Sequence, residues 1–323
     1  MGFHPDEILL SPTTSCNLLC PHCNVKRSKR DLSVKIAEKF LLDCMKNGIN
    51  RLGFTGGEPF LARNFLYSIT RFAVKEEFLF TRIVTNGVWY KDGKDLKQSL
   101  EKLFKAGYDG SICLSVDAYH EQNLRKLAVF IKTVQSIWRR PDMISVVYVT
   151  GKDPATKRKL SGLSKLLEGR LFNFRGRHPC IRSADLFIKI GKIDLSPIGR
   201  AARLKDPWGG QWFKEDRCKG PGNVFFVEPS GEVKPCCGYA SGSAALSIGN
   251  IKKDSVSKIT KNIRQNRLLC AIFDSGLSRI KTGLVKRGVR FPGDAGNNCF
   301  FCHYILTEVP RDTLLTSLER VSV

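Results

Sequence analysis

No stretch of 18 or more consecutive apolar residues occurs in this chain of 323 residues, which leaves no candidate for a membrane-spanning helix. The start, MGFHPDEILLSP, lacks the basic region and long apolar run of a secretory signal. Phe3-His4-Pro5-Asp6 also lacks the Ser or Thr that N-myristoylation requires. These absences predict a cytoplasmic protein with no membrane partner. Negative charge is scarce too: 30 acidic residues stand against 53 Lys and Arg, a formal +23. Such a field attracts nucleic acid, an anionic surface or an acidic peptide. The chain shows no internal repeat, low-complexity tract or recognised RNA-binding module, so a nucleic-acid partner is disfavoured and the VKRSKR run beside the first cysteines reads as a solvated face.

What is present is a globular composition, 42% hydrophobic and 26% charged, with enough apolar material for a large core. Up to about residue 200, segments of strand and helix character alternate. EILLS, RLGF, FLFTRIVTNG, GSICLSVDA, MISVVYVTG and ADLFIKIGKI read as six strands, and the stretches between them carry apolar residues at helical spacing. That cadence predicts an α/β protein with parallel strands joined by helical crossovers, open or closed into a barrel. Beyond SPIGRAARLKDPWGGQW the rhythm changes to Gly, Pro and Cys, and NVFFVEPSGEVKPCCG reads as a hairpin turning at Pro-Ser-Gly. A helix or two is expected over 255–286. The predicted division is therefore 1–205 and 206–323.

Twelve cysteines in a cytosolic chain of this size point to metal or redox chemistry rather than a disulfide scaffold. They cluster at 16, 20 and 23, then at 218, 236, 237, 299 and 302, while Cys44, Cys113, Cys180 and Cys270 stand apart and read as small buried hydrophobes. Thiolates favour iron–sulfur clusters or zinc. Three cysteines in one short loop can hold three irons of a cubane and leave the fourth open to a ligand.

The spacing Cys16-x-x-x-Cys20-x-x-Cys23 resembles the signature of the radical S-adenosylmethionine (SAM) superfamily, with His22 where the family often has an aromatic ring. TGGEP at 55–59, TNG at 85–87, SVD at 115–117 and GRAAR at 199–203 follow successive strands in the order that superfamily uses. In parallel barrels ligand sites lie at the carboxyl ends of the strands, and all these motifs fall on that rim. The resemblance implies a partial (β/α)6 radical SAM barrel. Its open [4Fe–4S] cluster would be held by Cys16, Cys20 and Cys23. SAM would be bound by Gly56, Gly57, Glu58, Asn86, Ser115, Asp117 and Arg200. It also implies reductive cleavage of SAM to a 5′-deoxyadenosyl radical, with an electron donor such as flavodoxin or ferredoxin.

The later cysteines, Cys218, Cys236, Cys299 and Cys302, resemble the SPASM and twitch extensions that carry auxiliary clusters, which implies one auxiliary [4Fe–4S] cluster in a small cysteine-rich tail. A structural zinc suits four thiolates as well. Cys237 is left over. With GRAARL, the doubled cysteine of PCCG and the closing CFFC, the chain is similar to radical SAM epipeptide epimerases, which turn L-residues of ribosomally made peptides into D-residues. That likeness implies abstraction of an α hydrogen and return of a hydrogen from Cys237, making the enzyme an isomerase acting on an acidic precursor peptide. Two alternatives are a maturase that forms thioether or carbon–carbon crosslinks in a peptide, and an RNA-modifying radical SAM enzyme. Few residues precede Cys16, so peptide capture is expected at the barrel mouth, the tail or a separate partner.

Overall fold

A computed structural model of the chain describes residues 3–28, 30–174, 178–209, 211–213, 216–218 and 222–318. Lys29 of the basic run and residues 219–221 of the CKGPG segment lie outside the described residues. The first part alternates as the sequence predicts: β1 (Glu7–Leu10), α1 (Val34–Lys46), β2 (Arg51–Phe54), α2 (Arg63–Lys75), β3 (Leu79–Thr85), α3 (Gly93–Lys105), β4 (Ser111–Ser115), α4 (Leu124–Trp138), β5 (Ile144–Val149) and α5 (Asp153–Leu166). Then come β6 (Arg170–Phe174), β7 (His178–Arg182) and β8 (Phe187–Ile193).

Strands β1 to β5 and β8 are parallel neighbours, so the six strands read from the sequence form the barrel wall. The sequence did not announce β6 and β7. They form an antiparallel hairpin on the far side of β8, which extends the sheet past the sixth parallel strand.

The second part contributes β9 (Trp208–Gly209), β10 (Gly222–Val227), β11 (Glu232–Cys236), β12 (Gly249–Asn250), α6 (Val256–Gln265), α7 (Arg267–Cys270), α8 (Leu277–Lys286), β13 (Asp294–Ala295), α9 (Asn298–Thr307) and α10 (Arg311–Ser317). The hairpin of β10 and β11 is the one predicted, and Gly231 takes the left-handed conformation its turn needs (φ 86°). The region expected to hold one or two helices breaks into α6, α7, a π-helical turn (Ala271–Ser275) and α8.

β10 lies parallel beside β1, with Ile8 opposite Phe225, so the tail continues the barrel sheet instead of forming a separate layer. The sheet runs β12-β11-β10-β1-β2-β3-β4-β5-β8-β7-β6, and among the described residues its two ends do not pair, which leaves the barrel open. The division proposed near residue 205 falls between a 3-10 turn at Gly199–Arg203 and β9.

The helix-facing side of the sheet is sealed by fully buried Ile8, Leu10, Leu52, Phe54, Ile83, Ile112 and Leu114, against Leu41, Leu66, Ile69, Leu100, Leu103 and Ile131 of the helices. Each such side chain contributes about 1.5–3 kcal/mol of burial free energy. Because the strands alternate, Glu7, Leu9 and Arg82 project to the other face, where Arg82 Nη1 donates to Glu7 Oε1 at 3.0 Å and Thr81 Oγ1 donates to the same oxygen at 2.6 Å. Parallel strands put their carboxyl ends on one rim, and the site lies there.

Candidate active site

The cysteine loop leaves β1 and is anchored before it reaches its thiols. Thr13 bridges to Asp31, and Ser28 N donates to Thr14 Oγ1 at 2.7 Å. From β2, Gly57 N donates to Thr13 O (2.9 Å) and Glu58 N to Ser15 O (2.7 Å). A Cβ on Gly57 would stand 2.2 Å from Ser15 O, and one on Gly56, at φ 133°, 2.6 Å from Thr13 O. The two glycines are therefore required by the close approach of the cysteine loop. The amide of Gly57, which the sequence suggested would face a ligand, is spent on that loop.

Cys16, Cys20 and Cys23 line one cavity of about 260 Å³ together with Gly56, Gly57, Asn86, Ser115 and Asp117. Burial and the neighbouring thiols Cys23 and Cys16 push the Cys20 thiol up to about 12. A bound cation reverses that penalty, because it favours the thiolate. Three convergent thiols on one cavity wall are a donor set that fits an iron–sulfur cluster with one open iron.

Glu58 and Arg200 are placed differently from the other predicted SAM ligands. Glu58 is fully buried behind the cavity wall, where its carboxylate accepts from Thr85 Oγ1 (2.8 Å), Asn86 N (2.8 Å) and Phe60 N (3.2 Å). Burial raises it to about 7, against those hydrogen bonds. Its side chain thus positions Asn86 and does not line the cavity. Asn86 Nδ2 in turn donates to Asn17 Oδ1 (2.8 Å) and approaches Cys16 Sγ (3.8 Å). Arg200 Nε donates to Cys23 O at 3.1 Å, so it holds the cysteine loop.

On the opposite wall Asp117 Oδ1 accepts from Tyr119 N (2.9 Å) and His120 N (3.0 Å), with His120 Nδ1 at 2.8 Å, while Oδ2 accepts from Val149 N (3.1 Å). Burial alone would raise this carboxyl, but the hydrogen bond and charge of His120 outweigh it and draw it to about 2. His22 packs edge-on against His120, with ring centroids 4.6 Å apart, and against Tyr119 at 5.0 Å. Burial, then the charge of His120, lowers His22 to about 4. His22 Nδ1 is buried with no hydrogen-bond partner among the described residues, an orphaned polar atom at the rim of a ligand-sized space. Sequence reasoning missed Gln122 and Lys159. Gln122 Nε2 ties Asn86 O to Ser115 O, each at 2.7 Å, and Lys159 Nζ caps Asp117 O and Gln122 Oε1, each at 2.9 Å. Neither belongs to a recognisable motif; only the folded rim brings them to these carbonyls.

The second set also converges. Cys218, Cys236, Cys299 and Cys302 line a small cavity walled by Leu246, Ile272, Phe273 and Leu277. Cys299 and Cys302 share one face of the first turn of α9, whose start is capped by Asn297 accepting from Phe300 N (2.9 Å). Burial and the adjacent thiols push Cys236 and Cys302 far above the usual thiol range. Four such thiols in an apolar chamber fit a fully ligated metal cluster.

Cys237 is absent from that chamber. It lines a third, larger cavity of about 560 Å³, which reaches up past Ser11, Glu228 and Glu232. That cavity shares Thr14, Asn24, Val25, Thr55, Gly56 and Tyr239 with the one lined by Cys16, Cys20 and Cys23. Burial pushes the Cys237 thiol up to about 11, with Arg82 opposing and Glu7 adding to the rise.

Comparison with known proteins gives this geometry its context. The sequence model of the "Radical SAM superfamily" matches residues 10–145, and that of SPASM, an "Iron-sulfur cluster-binding domain", matches residues 218–281. The first domain implies a [4Fe–4S] cluster with SAM, and the second implies auxiliary iron–sulfur chemistry. Among curated proteins the chain is 24% identical over 217 residues to a GTP 3′,8-cyclase of Clostridium acetobutylicum, which covers 63% of this chain and 60% of the cyclase. It is 24% identical over 264 residues to a PqqA peptide cyclase of Rhodopseudomonas palustris, covering 72% of this chain and 67% of that protein. The solved structure described as "Native anSMEcpe with bound AdoMet and Kp18Cys peptide" superposes with a TM-score of 0.55 at 16% identity over 97% of this chain and 99% of that one, a likeness of fold. No helix among the described residues is long and apolar enough to cross a membrane.

Proposed function

We infer that this chain, a member of the radical SAM superfamily with a SPASM iron–sulfur domain behind its barrel, modifies a ribosomally made peptide by converting an L-residue to its D-form. The observation that carries the reading is the separation of the two adjacent cysteines. Cys236 shares the small chamber with three other thiols, and Cys237 lines the large cavity that opens onto the Cys16, Cys20 and Cys23 site.

In this reading Cys16, Cys20 and Cys23 hold the open cluster, and Gly56, Gly57, Asn86, Ser115 and Asp117 border the SAM bound to it. Bound there, SAM supplies on one-electron reduction a radical able to take a hydrogen atom from an unreactive carbon. Glu58 and Arg200 act at one remove, by fixing Asn86 and the cysteine loop. Cys218, Cys236, Cys299 and Cys302 hold the auxiliary cluster.

Cys237 does the step that decides the outcome. At neutral pH a thiol pushed up to about 11 keeps its proton, so it presents an S–H bond rather than a nucleophilic thiolate. When the peptide α-carbon has lost its hydrogen on one face, the Cys237 S–H bond breaks and a C–H bond forms on the other, leaving a sulfur-centred radical on Cys237. The likeness to a peptide cyclase, and to a fold that elsewhere holds AdoMet and a peptide, supports a peptide as substrate. The +23 charge suits an acidic one. The same peptide-cyclase likeness favours a second reading, in which a crosslink forms and Cys237 is a bystander. Product mass separates the two: epimerisation leaves it unchanged and yields a D-residue on chiral hydrolysate analysis, whereas a crosslink removes two hydrogens.

A further inference from the structure

The chain's excess of positive charge is unevenly placed. Over residues 251–290, eleven Lys and Arg stand against Asp254 and Asp274 alone. This is also the stretch whose inner side chains Ile272, Phe273 and Leu277 wall the four-cysteine chamber. On its outside, α6 and residues 3–5 border a groove of about 610 Å³. The floor is apolar, made by buried Phe3, Ile49 and Val256, and the rim carries His4, Lys261 and Arg264. No carboxylate among the described residues lines it. The carboxylate of Asp43, where α1 meets α6, is occupied in accepting from Val256 N at 2.7 Å, and Asp254 is paired with Lys258 at 2.7 Å. Lys261 and Arg264, three positions apart on one face of α6, are exposed and make no ion pair among the described residues.

Behind the floor lies a short packed route to the thiols. The Phe3 ring rests against that of Phe273, with centroids 5.3 Å apart and planes tilted by 58°, an ordinary aromatic contact. Phe273 in turn stands beside the chamber's first cysteine: a Cβ on Gly222 would lie 2.6 Å from Phe273 Cε1 and 3.0 Å from Cys218 Sγ. Only the space beside a glycine separates that ring from that sulfur.

Resting on the reading of Cys218, Cys236, Cys299 and Cys302 as holders of an iron–sulfur centre, we propose that the groove between residues 3–5 and α6 docks an acidic one-electron carrier protein, which delivers its electron to that centre past Phe3 and Phe273. One electron leaves the carrier, which is oxidised, and the four-cysteine centre is reduced by one; no proton moves and no bond is exchanged. A small groove with a charged rim suits such a partner, because electron-transfer encounters bury little surface and opposite charge raises the rate of encounter. An acidic peptide segment would match the same charge, but it has no use for a packed route to a redox centre.

The test uses the full-length, cluster-reconstituted enzyme, the double variant Lys261→Glu/Arg264→Glu, and a reduced bacterial flavodoxin as the acidic carrier. Both substitutions are at exposed positions, and circular dichroism with an iron count shows whether fold and clusters are kept. Flavodoxin should bind the wild type with an affinity that falls as salt is added, and the variant should bind it about tenfold more weakly or worse. In stopped flow, bleaching of the iron–sulfur absorbance by reduced flavodoxin should slow to the same degree, while bleaching by dithionite, a small reductant with no need of the groove, should be unchanged. A variant that binds flavodoxin and is reduced by it as the wild type is overturns the proposal. So does a variant that keeps flavodoxin binding but loses the precursor peptide, which would make the groove a peptide site. Reconstituted enzyme with no iron at the four-cysteine site overturns the reading beneath the proposal, and the flavodoxin affinities then decide on their own whether the groove docks the carrier.

Discussion

Cys236 and Cys237 are consecutive residues whose side chains open into different chambers, the first with Cys218, Cys299 and Cys302 among apolar walls, the second into the large cavity that reaches the loop of Cys16, Cys20 and Cys23. The end of β11 makes this possible, because successive side chains on an extended chain point to opposite faces. A doubled cysteine can thereby serve two sites without competing for one metal.

The first consequence is an iron count. Replacing any of Cys218, Cys236, Cys299 or Cys302 with Ala should lower iron in the reconstituted protein by about four atoms per chain, and replacing Cys237 should lower it by none. Iron and sulfide analysis beside the visible spectrum checks this. Zinc in place of iron at the four-cysteine site would contradict it.

Glu58 offers a test of positioning against contact. Among the described residues its carboxylate meets only donors, Thr85, Asn86 and Phe60. The amide of Glu58→Gln would turn an N–H toward one of them, costing about 1–3 kcal/mol. Denaturant melts should show that loss together with weaker AdoMet binding, since Asn86 is released. Unchanged stability with lost binding would instead make Glu58 a direct ligand.

The same residue sets a pH dependence of known sign. Between the ordinary carboxylate range and about pH 7, folded Glu58 holds a proton that the unfolded chain releases, so stability falls as pH rises through that window and levels off above it. Asp117 works in reverse: drawn down to about 2, it contributes stability above the ordinary range that is lost as pH falls toward 2. Melts across pH 4 to 8 should show the first slope in the wild type, and Glu58→Gln should flatten it.

His22 is the orphan at the rim. His22→Phe keeps the ring contacts with His120 and Tyr119 while removing a buried nitrogen that has no partner among the described residues. In the absence of AdoMet the variant should be more stable by about 1 kcal/mol, and it should bind AdoMet more weakly, as read by equilibrium dialysis. A variant that binds AdoMet as well as the wild type would show that this nitrogen has no ligand to meet.

Much of this arrangement was legible in the sequence because it is local. The strand-and-helix cadence carried all six barrel strands, β8 included, and the turn at Pro229, Ser230 and Gly231 announced the β10–β11 hairpin. What escaped depends on contacts between distant segments. β6 and β7 are short strands whose place at the sheet edge is set by pairing with β8, and nothing in their own residues specifies that neighbour. The parallel pairing of β10 with β1 joins residues more than two hundred positions apart. The inward turn of the Glu58 side chain, and the capture of strand-end carbonyls by Gln122 and Lys159, are likewise products of the folded rim.

The central claim, that Cys237 returns a hydrogen to the peptide, is tested most directly by turnover in deuterated water, where a thiol exchanges its proton with solvent before it reacts. The account predicts a product carrying one deuterium at the α-carbon of each D-residue, and no such product from Cys237→Ala even though AdoMet is still cleaved. An unlabelled D-residue, or labelled epimer from Cys237→Ala, would contradict it.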